Sequence, residues 1–263
     1  MKQYYIYIAM LLLQVQITWG QDTIRIMTIN IDQGVDTTLQ YIGEVIKSYN
    51  PDLVSVQEVD MYPKRPTAPR QIGKNFMAEL GYFADMQGVF GKAFDHPGGW
   101  GYGDAILSKY SFTESVSTVL KHQKNTEPRQ LLLIHTNIKG NDICFASTHL
   151  SHENKANRTD QLKQIRQIMQ RRKEKIKFVC GDLNSDTSEN LVPHVMKHWR
   201  DALPENEGTF SSAHGQWHYK AYKYDYILYR CAIDKKVEVI QTIIRCNEEI
   251  TDHCICIADV VIR

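Results

Sequence analysis

Lys177-Phe178-Val179-Cys180-Gly181-Asp182-Leu183-Asn184 is the stretch from which the rest of the chain is read. A short apolar run of strand character ends in a glycine, which permits a tight turn. Two hydrogen-bonding side chains follow, two residues apart, so that they point the same way. A carboxylate at Asp182 can hold and polarise a water while the Asn184 amide orients it. The same residues can also form an Asx-rich turn that caps the helix behind them.

Leu53-Val54-Ser55-Val56 is a second buried strand, and it delivers Gln57-Glu58 at its end. A carboxylate so placed must be paired, protonated or bound to a cation, because burying an isolated charge is expensive. Magnesium takes oxygen ligands and keeps several waters, so one or two carboxylates suffice. Glu58 is a plausible magnesium ligand; a salt bridge to a core arginine is the structural alternative. Thr148-His149-Leu150 and Thr251-Asp252-His253 each set a histidine at a strand terminus. Such an imidazole can donate to a phosphoryl oxygen whose charge grows in the transition state, or be purely structural. Asp225, in Tyr224-Asp225-Tyr226-Ile227-Leu228, can orient one of these rings through its second nitrogen.

Between these points the pattern alternates strands with helices. Thr23 to Ile29 alternates polar and apolar as a strand does. Helices are predicted from Thr38 to Ser48 before Asn50-Pro51, from Gln71 to Leu80 closed by Gly81, from Lys155 to Lys175, and from Glu189 to Trp199. Further strands are predicted at Ala105 to Leu107 after a glycine cluster, at Leu131 to Ile138 and Ile143 to Leu150 as a hairpin, and at Tyr224 to Tyr229, Val237 to Ile244 and Cys254 to Ile262. Asn30, Glu58, His149, Asp182, Asn184, Asp225, Asp252 and His253 all fall within or next to an apolar run. Sites carried on rigid strand ends can converge in a cleft.

The first twenty residues read differently. Lys2 precedes an apolar run from Ile6 to Ile17, and Thr18-Trp19-Gly20 offers a small residue before Gln21. This is the pattern of a secretory signal over residues 1–20, with one domain over 21–263 and a periplasmic or extracellular destination. The run is shorter than the ~20 apolar residues of a bilayer span, so no membrane anchor is expected. Six cysteines follow, mostly in strand-like runs, and core thiols are favoured over a disulfide framework. A net charge of +1 provides no strong basic face for nucleic acid, and the basic stretch from Lys163 to Lys177 reads as a solvated helix face.

At this point the sequence resembles the endonuclease/exonuclease/phosphatase superfamily, with its deoxyribonuclease-I-like fold. The resemblance runs in order through Met27-Thr28-Ile29-Asn30, Val56-Gln57-Glu58-Val59-Asp60, Gly103-Asp104-Ala105-Ile106-Leu107-Ser108, Glu127-Pro128-Arg129, Thr148-His149-Leu150, Gly181-Asp182-Leu183-Asn184, Asp225-Tyr226-Ile227-Leu228 and Thr251-Asp252-His253. It implies a four-layered α/β sandwich, two central sheets flanked by helices. It implies a magnesium or manganese ion near Glu58, with Asn30 and Asp252 as ligands or water holders. It assigns His253, oriented by Asp225, and His149 to the phosphate, and Asp182 with Asn184 to the attacking water. Asp104 stands where asparagine is common in the family, and an anion there needs a metal or Arg129. Arg129 and Arg158 match recurring positions and read as cleft or structural residues, with structure favoured for both.

The expected activity is therefore metal-dependent hydrolysis of a phosphate ester by a monomer, with a phosphodiester favoured and the substrate open among nucleic acid, lipid headgroup, inositol phosphate and small metabolite. Tyr82 to Phe94 and Gln216 to Tyr222 are aromatic enough to meet a ring or lipid. Asn30-Ile31-Asp32-Gln33-Gly34 is also similar to enzymes that release tyrosine from DNA ends, a role that export argues against. Two other classes are a non-catalytic binding protein on the same fold, which would have lost several of the eight residues, and a metal-independent glycosidase pairing Glu58 with Asp182.

Overall fold

The computed structural model describes residues 23–210, 222–246 and 249–263. The expected signal over residues 1–20 and most of the aromatic segment 216–222 lie outside them. Among the described residues no helix is long and apolar enough to cross a membrane.

Twelve strands are described: β1 (Thr23–Asn30), β2 (Leu53–Met61), β3 (Gln87–His96), β4 (Trp100–Ser108), β5 (Phe112–Val119), β6 (Gln130–Ile138), β7 (Asn141–His149), β8 (Ile176–Asp182), β9 (Arg200–Asp201), β10 (Asp225–Cys231), β11 (Val237–Cys246) and β12 (Cys254–Ile262). They form two six-stranded sheets, in the orders β11-β12-β1-β2-β4-β3 and β5-β6-β7-β8-β10-β9. Only β1 with β2 and β7 with β8 pair in parallel; the other pairings are antiparallel. Helices α1 (Leu39–Tyr49), α2 (Phe76–Ala84), α3 (Lys155–Arg171) and α4 (Leu191–Val195) complete the fold.

The layers follow from the two-residue alternation of the strands. In β1, Ile24 and Ile26 face the opposite sheet with Leu132, Phe145, Phe178 and Ile227. Met27 and Ile29 face the other way, against Leu39, Ile42, Ile46, Phe76 and Leu80 of α1 and α2. The second sheet repeats this, packing Ala146 and Val179 against Leu162, Ile165 and Met169 of α3 and Leu191 and Val195 of α4. The result is helix, sheet, sheet, helix, the four-layered sandwich expected.

The same alternation carries polar residues between the sheets at one end. Continuing from Ile24 and Ile26, the face turned to the other sheet holds Thr28 and Asn30; in β2 it holds Ser55 and Gln57, all four buried. Ser55 Oγ donates to Ser147 Oγ at 2.7 Å and Thr28 Oγ1 donates to Gln57 Oε1 at 3.3 Å. These bonds satisfy the buried hydroxyl and amide groups, which would otherwise be costly.

Several local expectations are corrected. The helix predicted from Gln71 to Leu80 begins only at Phe76, because Gly73 takes φ +74° and Asn75 caps Ala78 N; it closes at Asp85 in a left-handed conformation, not at Gly81. The predicted helix Glu189 to Trp199 is a 3-10 turn at Thr187–Glu189 and the short α4, divided by left-handed Asn190. Helix α3 stops at Arg171, where Lys177 Nζ caps the carbonyls of Met169 and Arg172. Ala105 to Leu107 belongs to the longer β4, and β3 and β5 carry no clear alternation in the sequence. Cys246 and Cys254, opposite each other on β11 and β12, form a disulfide, while Cys144, Cys180, Cys231 and Cys256 are free. The expectation of core thiols holds for Cys144, Cys180 and Cys256; Cys231 is free but only half-buried.

Candidate active site

The ends of β1, β2, β7, β8, β10 and β12 meet at one end of the sandwich. In β2 and β8 the polar residue is delivered by a local departure from regular strand. The register of β2 against β4 shifts between Val56 and Val59, and Glu58 within this bulge has φ +61°. A bulge reverses which face a side chain takes, so Glu58 joins Asn30 on the inter-sheet side. Gly181 has φ +139°, and a Cβ there would lie 1.9 Å from Thr148 O. Glycine alone allows β8 to approach β7 this closely and turn Asp182 inward. Asn184 and Asp32 are also left-handed. Strained backbone of this kind concentrates at functional sites.

The carboxylate of Asp182 is the hub. Its Oδ1 accepts from the Asn184 backbone N–H at 2.8 Å. Its Oδ2 accepts from Asn30 Nδ2 at 3.2 Å, and lies 3.4 Å from His149 Nε2 and 3.6 Å from His253 Nε2. Asn30 Nδ2 also donates to Glu58 Oε1 at 3.0 Å, while its Oδ1 accepts from Asp32 N at 3.0 Å. His253 Nδ1 lies 2.9 Å from Asp225 Oδ2. The Asn184 side chain sits 2.9 Å from His149 Nε2 and donates to Leu150 O at 3.0 Å. Arg129 Nη1 donates to His149 Nδ1 at 3.0 Å. Glu58, His149, Asp182, Asn184, Asp252 and His253 line one cleft of about 300 Å³; Asn30 and Asp225 are buried behind it. All eight residues named from the sequence thus converge, Asp252 at the rim with Thr251 Oγ1 donating to its carboxylate at 3.3 Å.

Charge within the site is sharply divided. Burial would lower the His253 imidazole, but Asp225 and Asp182 outweigh it and raise the group to about 10, so His253 is a cation. Burial and then the Arg129 cation push His149 well below the usual histidine range, and it is neutral. Burial raises the Asp182 carboxyl above its usual range, and His253 pulls it part of the way back. Glu58 is raised to about 7, by burial first and then by Asp32, against the opposing pull of Asn30 and Arg129. Carboxylates therefore exceed cations around the cleft, and the pull of Arg129 and His253 on Glu58 does not offset its burial beside Asp32. The carboxylate oxygens of Glu58 and Asp252 have the chemistry of ligands to a hard divalent cation, which would supply further positive charge. Among the described residues no three His, Cys, Asp or Glu side chains are grouped to hold an ion by themselves, so such an ion would keep water in its shell.

Other residues of the cleft had no role, or only a lesser one, in the sequence reading. Arg129, for which a structural role was favoured, lines the cleft and touches His149; Glu127 and His152 hold its other nitrogen at 3.1 Å each. Asp32 follows Asn30 too closely to be told from a turn residue. Arg65 and Tyr102 carried no motif at all. Arg158 is structural as expected, bonding Ser151 O, His152 O and Glu189. Asp104 does not line the cleft: Gln130 Nε2 donates to it at 3.0 Å, and it is raised to about 7 by burial, with Arg129 pulling it down. Phe210 packs 4.7 Å from the His253 ring and stacks at 5.2 Å on Tyr224, which stacks at 5.5 Å on Tyr222. An aromatic ladder thus leaves the cleft at His253.

Two facing sheets with helices outside, and strand-end carboxylates and imidazoles gathered around one carboxylate oxygen, define a class of phosphoester-cleaving sandwich proteins. The chain belongs to the endonuclease/exonuclease/phosphatase family, whose model matches residues 27–253; members of this family are generally phosphoesterase hydrolases. Solved structures agree on the fold. An endonuclease/exonuclease/phosphatase from Beutenbergia cavernae is 21% identical over 92% of this chain and 72% of its own, with a TM-score of 0.76. Mannosyl-6-phosphatase Bt3783 of Bacteroides thetaiotaomicron is 16% identical over 90% and 99%, with a TM-score of 0.67. Truncated Caenorhabditis elegans TDP2 is 18% identical over 91% and 97%, with a TM-score of 0.63. No curated protein matches the sequence.

Proposed function

We propose that the chain is an exported, divalent-metal-dependent phosphodiesterase, acting as a monomer by in-line attack of a water on phosphorus. The observation that carries this reading is the surrounding of Asp182 Oδ2 by Asn30, neutral His149 and cationic His253. Asp182 Oδ1 is held by the Asn184 N–H, which leaves Oδ2 to take a proton from the attacking water. His253 donates from Nε2 to a phosphoryl oxygen, and Asp225 fixes its ring and its charge. His149, held by Arg129, serves a second phosphoryl oxygen as a neutral donor.

Magnesium or manganese, held by Glu58 and Asp252 with water, would add a positive charge to stabilise the developing oxyanion. Asn30 turns its amide nitrogen to Glu58 and its oxygen to Asp32 N, so its part is to steady Glu58. Export is supported by the signal pattern and by the Cys246–Cys254 disulfide, a bond that persists in oxidising compartments. A carboxylate-pair glycosidase would leave both imidazoles without a task.

Turnover of bis(4-nitrophenyl) phosphate with magnesium tests the reading. It is expected to vanish with a strong chelator and with Asp182→Ala while the protein stays folded. Turnover that survives the chelator would sink it.

A further inference from the structure

Arg65 lines the same cleft but hydrogen-bonds to none of the residues given a role above. It sits in Tyr62-Pro63-Lys64-Arg65-Pro66, directly after β2, where the flanking prolines restrict the backbone. Its Nε and Nη2 donate to the two oxygens of Asp60 at 3.0 and 3.3 Å. Asp60 is fully buried, and Trp100 Nε1 donates to the same carboxylate at 3.0 Å. The guanidinium lies 5.5 Å from the Trp100 ring centroid and 5.9 Å from that of Tyr102, within range of cation–π attraction. One carboxylate and two aromatic rings therefore fix its plane.

A guanidinium has two edges that each present a pair of parallel N–H groups. Asp60 occupies the Nε/Nη2 edge. The Nη1/Nη2 edge remains, and among the described residues Nη1 has no hydrogen-bond partner. A rigid two-donor fork in a cleft wall matches the oxygens of a phosphate or similar oxyanion.

We propose that Arg65 is a second anion subsite, binding a phosphate that the substrate carries in addition to the ester being cleaved. The proposal rests on the phosphoesterase reading and narrows its substrate class to esters with two anionic groups. Because Asp60 already offsets part of the charge, the gain is modest, about tenfold in affinity, as one charge-assisted pair at a partly exposed site provides.

Calorimetric titration with magnesium present tests this on two matched pairs: thymidine 5′-phosphate against thymidine 3′,5′-bisphosphate, and inositol 1-phosphate against inositol 1,4-bisphosphate. The pairs separate a nucleotide carrier from a polyol carrier. At least one bisphosphate is expected to bind the wild type about tenfold tighter than its monophosphate. Arg65→Gln should cut that advantage to about twofold or less with the monophosphate Kd unchanged, and Arg65→Lys, which keeps charge without the fork, should retain only part of it. If Arg65→Gln lowers the melting temperature, Arg65→Lys carries the comparison, and an undiminished advantage there overturns the proposal. No advantage in either wild-type arm, or equal loss of mono- and bisphosphate binding in a folded variant, also overturns it. Turnover of bis(4-nitrophenyl) phosphate, followed in parallel, separates the two readings. A bisphosphate preference without turnover sinks the enzyme and leaves the subsite; turnover without the preference sinks the subsite alone.

Discussion

Asp225 Oδ2 lies 2.9 Å from His253 Nδ1, on the side of the ring away from Asp182. Asp225 is buried on β10, and its carboxylate orients the imidazole and favours its charged form.

Asp225→Asn keeps the volume and removes the charge. Its kcat on bis(4-nitrophenyl) phosphate is expected to fall about a hundredfold or more with KM little changed, the pattern of an interaction made in the transition state. Steady-state kinetics on a variant with native circular dichroism checks this; an unaltered kcat would remove Asp225 from the mechanism.

Glu58 beside Asp32 is raised to about 7 mainly by burial, a cost that a divalent cation bound there would relieve. Magnesium at about a hundredfold excess over its Kd is expected to raise Tm by roughly 5–10 °C, since ligand linkage then contributes about 2.7 kcal/mol. Glu58→Gln should abolish most of the rise. Thermal melts of both proteins with and without magnesium decide it, and an identical rise in the variant would place the ion elsewhere.

The Cys246–Cys254 disulfide, eight residues apart, closes the segment that delivers Asp252 and His253. Reduction, or a Cys246→Ser and Cys254→Ser double variant, should cost about 2–3 kcal/mol by loop entropy. Urea unfolding measures the loss, and mass spectrometry of the alkylated protein should find Cys246 and Cys254 protected. Full alkylation of both without reductant would contradict the bond.

Arg172 joins α3 to β5 through Glu114 and Glu174. Arg172 holds the Glu114 carboxyl below its ordinary 4.5; at Glu174 burial pushes up but the Arg172 hydrogen bond and charge win, and it too is lowered. Depressed carboxyl values contribute stability that is present above the unfolded value and lost as pH falls through the folded one. Arg172→Met should therefore be less stable than wild type at neutral pH, with the gap closing as pH falls below 4.5. Urea midpoints across this range test it, and a gap that widens in acid would reverse the sign.

Legibility followed the contrast between a polar residue and the apolar run it ends. The strand-end motifs around Asp182, Glu58, His149 and His253 stood out because a polar residue ending an apolar run is rare and costly. Arg65 and Tyr102 did not, since an arginine between prolines and a tyrosine among glycines are ordinary in a loop or a turn. The start of α2 was misplaced because Gly73 and Asn75 acted locally against a pattern that looked continuous. The Cys246–Cys254 bond was missed because pairing depends on strands β11 and β12 lying side by side with these residues in register.

Period-two alternation and the order of motifs, both properties of the chain as written, determined the sheets and the identity of the residues that gather at their ends. Which edge of Arg65 stays free, which imidazole carries charge, and which side Glu58 faces were decided only by the tertiary structure. The physical reason is that orientation, charge and register depend on neighbours distant in the chain: Asp60 with Trp100, Asp225 with Asp182, and the bulge of β2 against β4. These neighbours come together only once the two sheets have closed on one another.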